Sequence, residues 1–111
     1  MEYMCLFYAA EDAEMPPNAF EECIEVAQRA HAAGAMRDAR GLEDPTAATT
    51  VRVRDGKRLL TDGPFAETKE VLTGFFMLEC KSLDDALSWA AQLPVSRYGC
   101  VEVRPVRALE P

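Results

Sequence analysis

Two carboxylates, Asp62 and Glu67, bracket the densest run of chemistry-bearing residues in the sequence, Asp62-Gly63-Pro64-Phe65-Ala66-Glu67-Thr68-Lys69-Glu70. A carboxylate aimed at an apolar crevice loses solvation of its charged form, so its pKa rises and it can serve as a general acid or base. On that reading Asp62 and Glu67 are the catalytic pair. Gly63, Pro64 and Phe65 then shape the ligand-binding wall, and Lys69 supplies a counter-charge for an anionic ligand. A plainer reading stands beside it. Asp, Gly and Pro form turns, and an Asp62 carboxylate can cap nearby backbone N–H groups. The charged residues after Phe65 also suit a solvated loop.

The other reactive side chains point away from metal or cofactor chemistry. Cys5, Cys23, Cys80 and Cys100 are spread singly, with no C-x-x-C pair and one His in the chain, so neither a zinc site nor a disulfide framework is expected. They read as reduced core thiols of a cytoplasmic protein. His31 falls on the apolar face of a predicted helix, near its C-terminal end, where a structural role is expected. Gly-rich phosphate loops, nucleophile elbows and H-E-x-x-H helices are absent, so no cofactor is implied. A net charge of −7 argues against a nucleic-acid surface. The charge is uneven: residues 36–61 hold six bases against four acids, enough to help hold a small anion. Neither a targeting segment nor a membrane span is expected, since the apolar run from Tyr3 to Ala10 is short.

These residues need a scaffold, and 111 residues suit one domain over 1–111. Tyr3–Tyr8 reads as a buried strand. Asn18 and Glu21 have the form of a capping box for a helix to about Ala33, with Phe20, Cys23, Ile24, Ala27 and His31 on one face and Gly34 ending it. Met36–Leu42 is a second strand. Thr49–Arg54 and Lys57–Asp62 flank Asp55-Gly56, a two-residue hairpin turn that pairs Val53 with Arg58, Val51 with Leu60 and Thr49 with Asp62. Asp62 is thereby expected on the hairpin's apolar side. Leu72–Cys80 is a long apolar strand, Ser82 and Asp85 signal a second helix stopped by Pro94, and Tyr98–Val106 is the last strand. The order is that of an α+β, ferredoxin-like split β-α-β with an inserted β-hairpin.

Two helices cover one face of such a sheet. Yet Tyr3–Tyr8 and Phe75–Cys80 are apolar at both parities, whereas a sheet with one wet face would alternate. A second copy packed sheet to sheet resolves the conflict and leaves a crevice between the sheets; the other solution is that the hairpin and loop segments fold over the second face within one chain.

The long run 62–70, with Thr46–Arg54, the Asp55-Gly56 turn and Gly99–Val106, resembles the YCII-related proteins and, within them, the branch marked by D-G-P-F. The resemblance implies a dimeric α+β barrel of ferredoxin-like subunits. It also implies a family in which a few members are small-molecule lyases and in which D-G-P-F members are encoded beside extracytoplasmic-function sigma factors. The wider family's His near the start of the first helix is missing here, where the chain reads Pro17-Asn18-Ala19-Phe20, so a His–Asp mechanism is not carried over. The expected function is a small-molecule site in a homodimer crevice, with cofactor-free lyase or isomerase chemistry if the protein is an enzyme. The alternative is a non-catalytic accessory or sensor binding a metabolite or a regulatory partner such as a sigma factor.

Overall fold

The computed structural model describes residues 1–109. Its order is β1 (Glu2–Ala10), α1 (Ala19–Ala32), β2 (Met36–Gly41), a 3-10 turn (Pro45–Ala47), β3 (Thr49–Arg54), β4 (Lys57–Asp62), β5 (Glu70–Glu79), α2 (Leu83–Gln92), α3 (Val95–Tyr98) and β6 (Cys100–Pro105). Four strands form one antiparallel sheet in the order β2-β5-β1-β6, and β3 pairs with β4 as a separate ribbon. The fold is therefore α+β, with antiparallel sheets and three helices. No helix among the described residues is long and apolar enough to cross a membrane.

Strand parity decides where the core lies. Along β1, Tyr3, Cys5, Phe7 and Ala9 are buried, and they pair with or neighbour buried Phe76 and Leu78 of β5. Val26 and Ala30 of α1, Ala86 and Ala90 of α2, and Leu93 and Val95 close over them. Phe7 and Phe76 meet edge to face with centroids 5.2 Å apart. Full burial of Leu78, Leu93 and Val26 contributes about 1.5–3 kcal/mol each by removing apolar area from water. At Gly99, a Cβ would lie 2.1 Å from the Tyr8 carbonyl oxygen, so only glycine lets the chain enter β6 this close to β1.

The opposite parity builds the second face. Met4, Leu6 and Tyr8 pair there with Met77, Phe75 and Leu72, all half-buried. Ion pairs border this apolar stripe on both edge strands, Arg40–Asp38 at 2.8 Å on β2 and Arg104–Glu102 at 3.4 Å on β6. The molecule is flat, 47 × 42 × 18 Å, because its four-stranded sheet carries helices on one side and the β3–β4 ribbon stands apart from it. The β3–β4 ribbon packs chiefly on itself and does not shelter the second face.

Several expectations are corrected. Asn18 makes no side-chain cap, because its backbone (φ −101°, ψ 15°) is not in the extended geometry that aims a cap. Helix α1 buries Ala19, Val26 and Ala30, and Cys23 and Ala27 pack half-buried against the core as expected, while Phe20, Ile24 and His31 are exposed, so the buried face is rotated in part from the one expected. Pro94 does not simply stop α2: it is the N-cap of α3, which takes Tyr98 out of the last strand. Cys100 is exposed and not a core thiol. The Ser82 cap forms, its hydroxyl accepting from the Asp85 N–H at 3.2 Å. Gly34 closes α1, with its N–H on the His31 carbonyl and that of Ala35 on Ala30.

Candidate functional site

The loop from Gly63 to Lys69 leaves β4 and returns the chain to β5. Gly63 has φ +99°, a conformation that side chains rarely adopt, and this turns the chain sharply before Pro64. Both of its backbone polar groups are tied to the segment entering and starting β3. Its N–H donates to the Ala48 carbonyl at 2.7 Å, and its carbonyl accepts from the Thr50 hydroxyl at 2.9 Å. Farther along, the Thr68 hydroxyl donates to the Glu70 carbonyl at 2.6 Å. The bonds that fix the loop are thus those of Gly63 and the threonines. Asp62 pairs with Thr49 as expected and is exposed.

The loop is a wall between two open cavities. One, of about 620 Å3, is lined by Pro64, Phe65, Ala66 and Thr68 with Tyr8, Thr50, Val71 and Leu72, and by the carboxylates of Glu43, Asp44 and Glu70. The other, of about 610 Å3, is lined by Asp62, Gly63, Pro64 and Glu67 with Glu11, Thr46 and Thr68. Five of the six site residues expected from sequence therefore line one cavity or the other. Asp62 and Glu67 share the second, Phe65 faces the first, and Pro64 borders both. Lys69 is exposed and lines neither.

Acids supply the charge of these walls; among the described residues, no Lys, Arg or His lines either cavity. Asp44 is the best-held carboxylate. It caps the 3-10 turn by accepting from the Thr46 N–H at 3.0 Å and the Thr46 hydroxyl at 2.9 Å. Those two bonds favour its charged form and lower its pKa below the ordinary carboxylate value. Beside Glu70 lies the Cys100 thiol, 4.0 Å from the carboxylate oxygen. Partial burial, and then the neighbouring carboxylates of Glu70 and Glu102, raise that thiol's pKa, which keeps it protonated rather than nucleophilic. Among the described residues, no cluster of three or more His, Cys, Asp or Glu could hold a metal ion.

Tyr8, Glu43, Asp44 and Thr50 were not singled out from the sequence, and Glu70 was read only as the end of the charged run 62–70. Strand pairing brings Tyr8 and Leu72 together from opposite ends of the fold, which no local pattern reveals. A usable signal did exist for one of them: Asp44-Pro45-Thr46 has the form of a capped turn.

Residues 1–110 match the YCII-related domain. Over 81 residues, 71% of this chain, the sequence is 43% identical to an uncharacterised protein, R00369, of Rhizobium meliloti (strain 1021). The aligned region spans 65% of that relative's length.

Proposed function

The chain belongs to the YCII-related family, and on that premise we propose that its D-G-P-F segment builds a small-molecule site in the crevice of a homodimer. The reading places it in the D-G-P-F branch of that family, as a ferredoxin-like subunit of a dimeric α+β barrel. The sheet order β2-β5-β1-β6, with α1 and α2 each connecting two strands, supports the subunit fold. The apolar second face, with its Met4, Leu6, Tyr8, Phe75 and Met77 stripe, supports the pairing. Water contact there is unfavourable, and a second sheet laid on it at about 10 Å covers it.

The chemistry proposed is cofactor-free proton transfer, of the lyase or isomerase kind. Asp62 and Glu67 are the exchanging carboxylates, and Phe65, Pro64 and Tyr8 form the contact surface for the ligand's apolar part. One observation carries this: both carboxylates line one cavity, which shares its Pro64–Thr68 wall with a more apolar neighbour. Two carboxylates at one site can divide the roles of acid and base.

The test is a thermal-shift screen of the wild type and Asp62→Asn with small carboxylic and aromatic acids. A subset of compounds is expected to stabilise the wild type, a response the variant loses while its unliganded melting temperature stays unchanged. Equal responses from both proteins remove Asp62 from the site. Silence from every compound favours a non-catalytic accessory role.

A further inference from the structure

The β3–β4 ribbon presents apolar side chains to solvent in both strands: Val51 (58% exposed), Val53 (60%), Leu59 (48%) and Leu60 (59%). A two-stranded ribbon is marginal in water by itself, and one that exposes four aliphatic side chains is more so. It is also the basic part of an acidic chain. Arg52, Arg54, Lys57 and Arg58 sit on it against Asp55 and Asp62. The ion pairs of the described residues all lie elsewhere, on Glu79, Asp38, Asp85, Glu22 and Glu102. The cavities flanking the D-G-P-F loop show the reverse, with carboxylates lining them and no base among the described residues.

We infer that the β3–β4 arm of one copy lies across the D-G-P-F cavity of a second copy, so that Lys57 and Arg58 at its tip supply the positive charge those walls lack. The inference rests on the homodimer proposed above and deepens it. Size favours the same occupant. Six residues of strand reach about 20 Å, and four strands span about 19 Å, so an arm can cross a whole partner sheet. The face opposite the helices, about 19 Å across and from about 20 Å long on its edge strands to about 33 Å on β5, offers a footprint of about 500 Å2, below the roughly 800 Å2 per partner that a stable interface buries. The arms make up the shortfall and bury their own valines and leucines.

A chemical consequence follows for the ligand. A site with acidic walls alone repels an organic acid, whereas one completed by the partner's bases holds it while Asp62 and Glu67 stay available for the proton. The substrate class is therefore a small organic anion, and each site is composite.

The experiment measures dimer dissociation by sedimentation and arm protection by hydrogen–deuterium exchange. The proteins are the wild type, Lys57→Glu/Arg58→Glu, Glu43→Arg/Glu70→Arg, and a one-to-one mixture of the two variants. Each variant alone sets like charges together, so its dissociation constant is expected to rise by about tenfold or more. Mixing restores a tight heterodimer, since one interface joins both altered surfaces and the other joins both original ones. Wild-type arm amides are expected to be protected in the dimer and to exchange fast on dilution to monomer. A wild-type dimer whose arm exchanges equally fast in both states overturns the arm placement alone, as do charge reversals that leave dissociation unchanged. A wild type that never dimerises overturns the homodimer itself.

Discussion

Replacing Gly63 by alanine isolates what the D-G-P-F turn demands of the backbone. A Cβ at this position meets no heavy atom within 4 Å, so the substitution creates no clash. Whatever it costs comes from holding φ at +99°, which for a residue with a side chain is about 1–3 kcal/mol. Gly41 is the matched control: its Cβ also meets open space, and its φ is not positive. Alanine there is expected to be neutral or to stabilise by about 0.5 kcal/mol, through a less flexible unfolded chain. The assay is thermal unfolding of both variants by circular dichroism, at one protein concentration because assembly shifts the melting point. For a domain near this size each kcal/mol moves the midpoint by about 4–8 °C, so Gly63→Ala should fall at least about 4 °C below Gly41→Ala. Equal midpoints would refute the claim that strain at Gly63 shapes the loop. A second readout follows from the same geometry. If alanine forces the turn open, the Gly63 N–H leaves the Ala48 carbonyl and its amide exchanges faster.

Three further outcomes follow. Thr50→Val removes the hydroxyl that holds the Gly63 carbonyl while keeping the shape of the side chain; equilibrium denaturation should show a loss of about 0.5–1.5 kcal/mol. Cys5 is wholly buried, and burial, with the nearby Cys80 second, pushes its thiol from 9.0 to about 11. The folded state therefore keeps a proton that the unfolded state releases above pH 9. This contribution is complete below that pH and falls away as pH rises to about 11, by at most roughly 2.7 kcal/mol. Urea titrations across that range check the slope, and a thiol reagent at neutral pH should label exposed Cys100 well before Cys5 or Cys80.

Local chemistry was legible where it is decided locally. The Asp55-Gly56 pair, with positive φ at both residues, fixes the hairpin register, and Thr49–Asp62, Val51–Leu60 and Val53–Arg58 pair as the residues alone indicate. The two-sided apolar pattern of β1 and β5 was likewise readable, because side-chain alternation is a property of the strand itself. The buried face of α1 was legible only in part. Phe20 and Ile24 look like core by hydropathy, yet small Ala19 and Ala30 sit against the sheet and the larger residues turn outward. Helix α3 was missed because Pro94 both ends one helix and begins another. At the candidate site, the contiguous run from Asp62 to Glu67 could be found in one dimension. Tyr8 and Glu43 reach the neighbouring cavity, beside Phe65 of that run and Glu70, only through pairing across the sheet and the path of the β2–β3 connection.

Sedimentation equilibrium of the wild type beside Leu6→Lys bears most directly on the whole account, since it asks whether the stripe of Met4, Leu6 and Tyr8 is an interface. At micromolar concentration the account predicts a wild-type species of twice the 12.3 kDa chain mass and a folded variant at the chain mass. A wild type that sediments as 12.3 kDa particles, or a variant that dimerises as tightly as its parent, would contradict it.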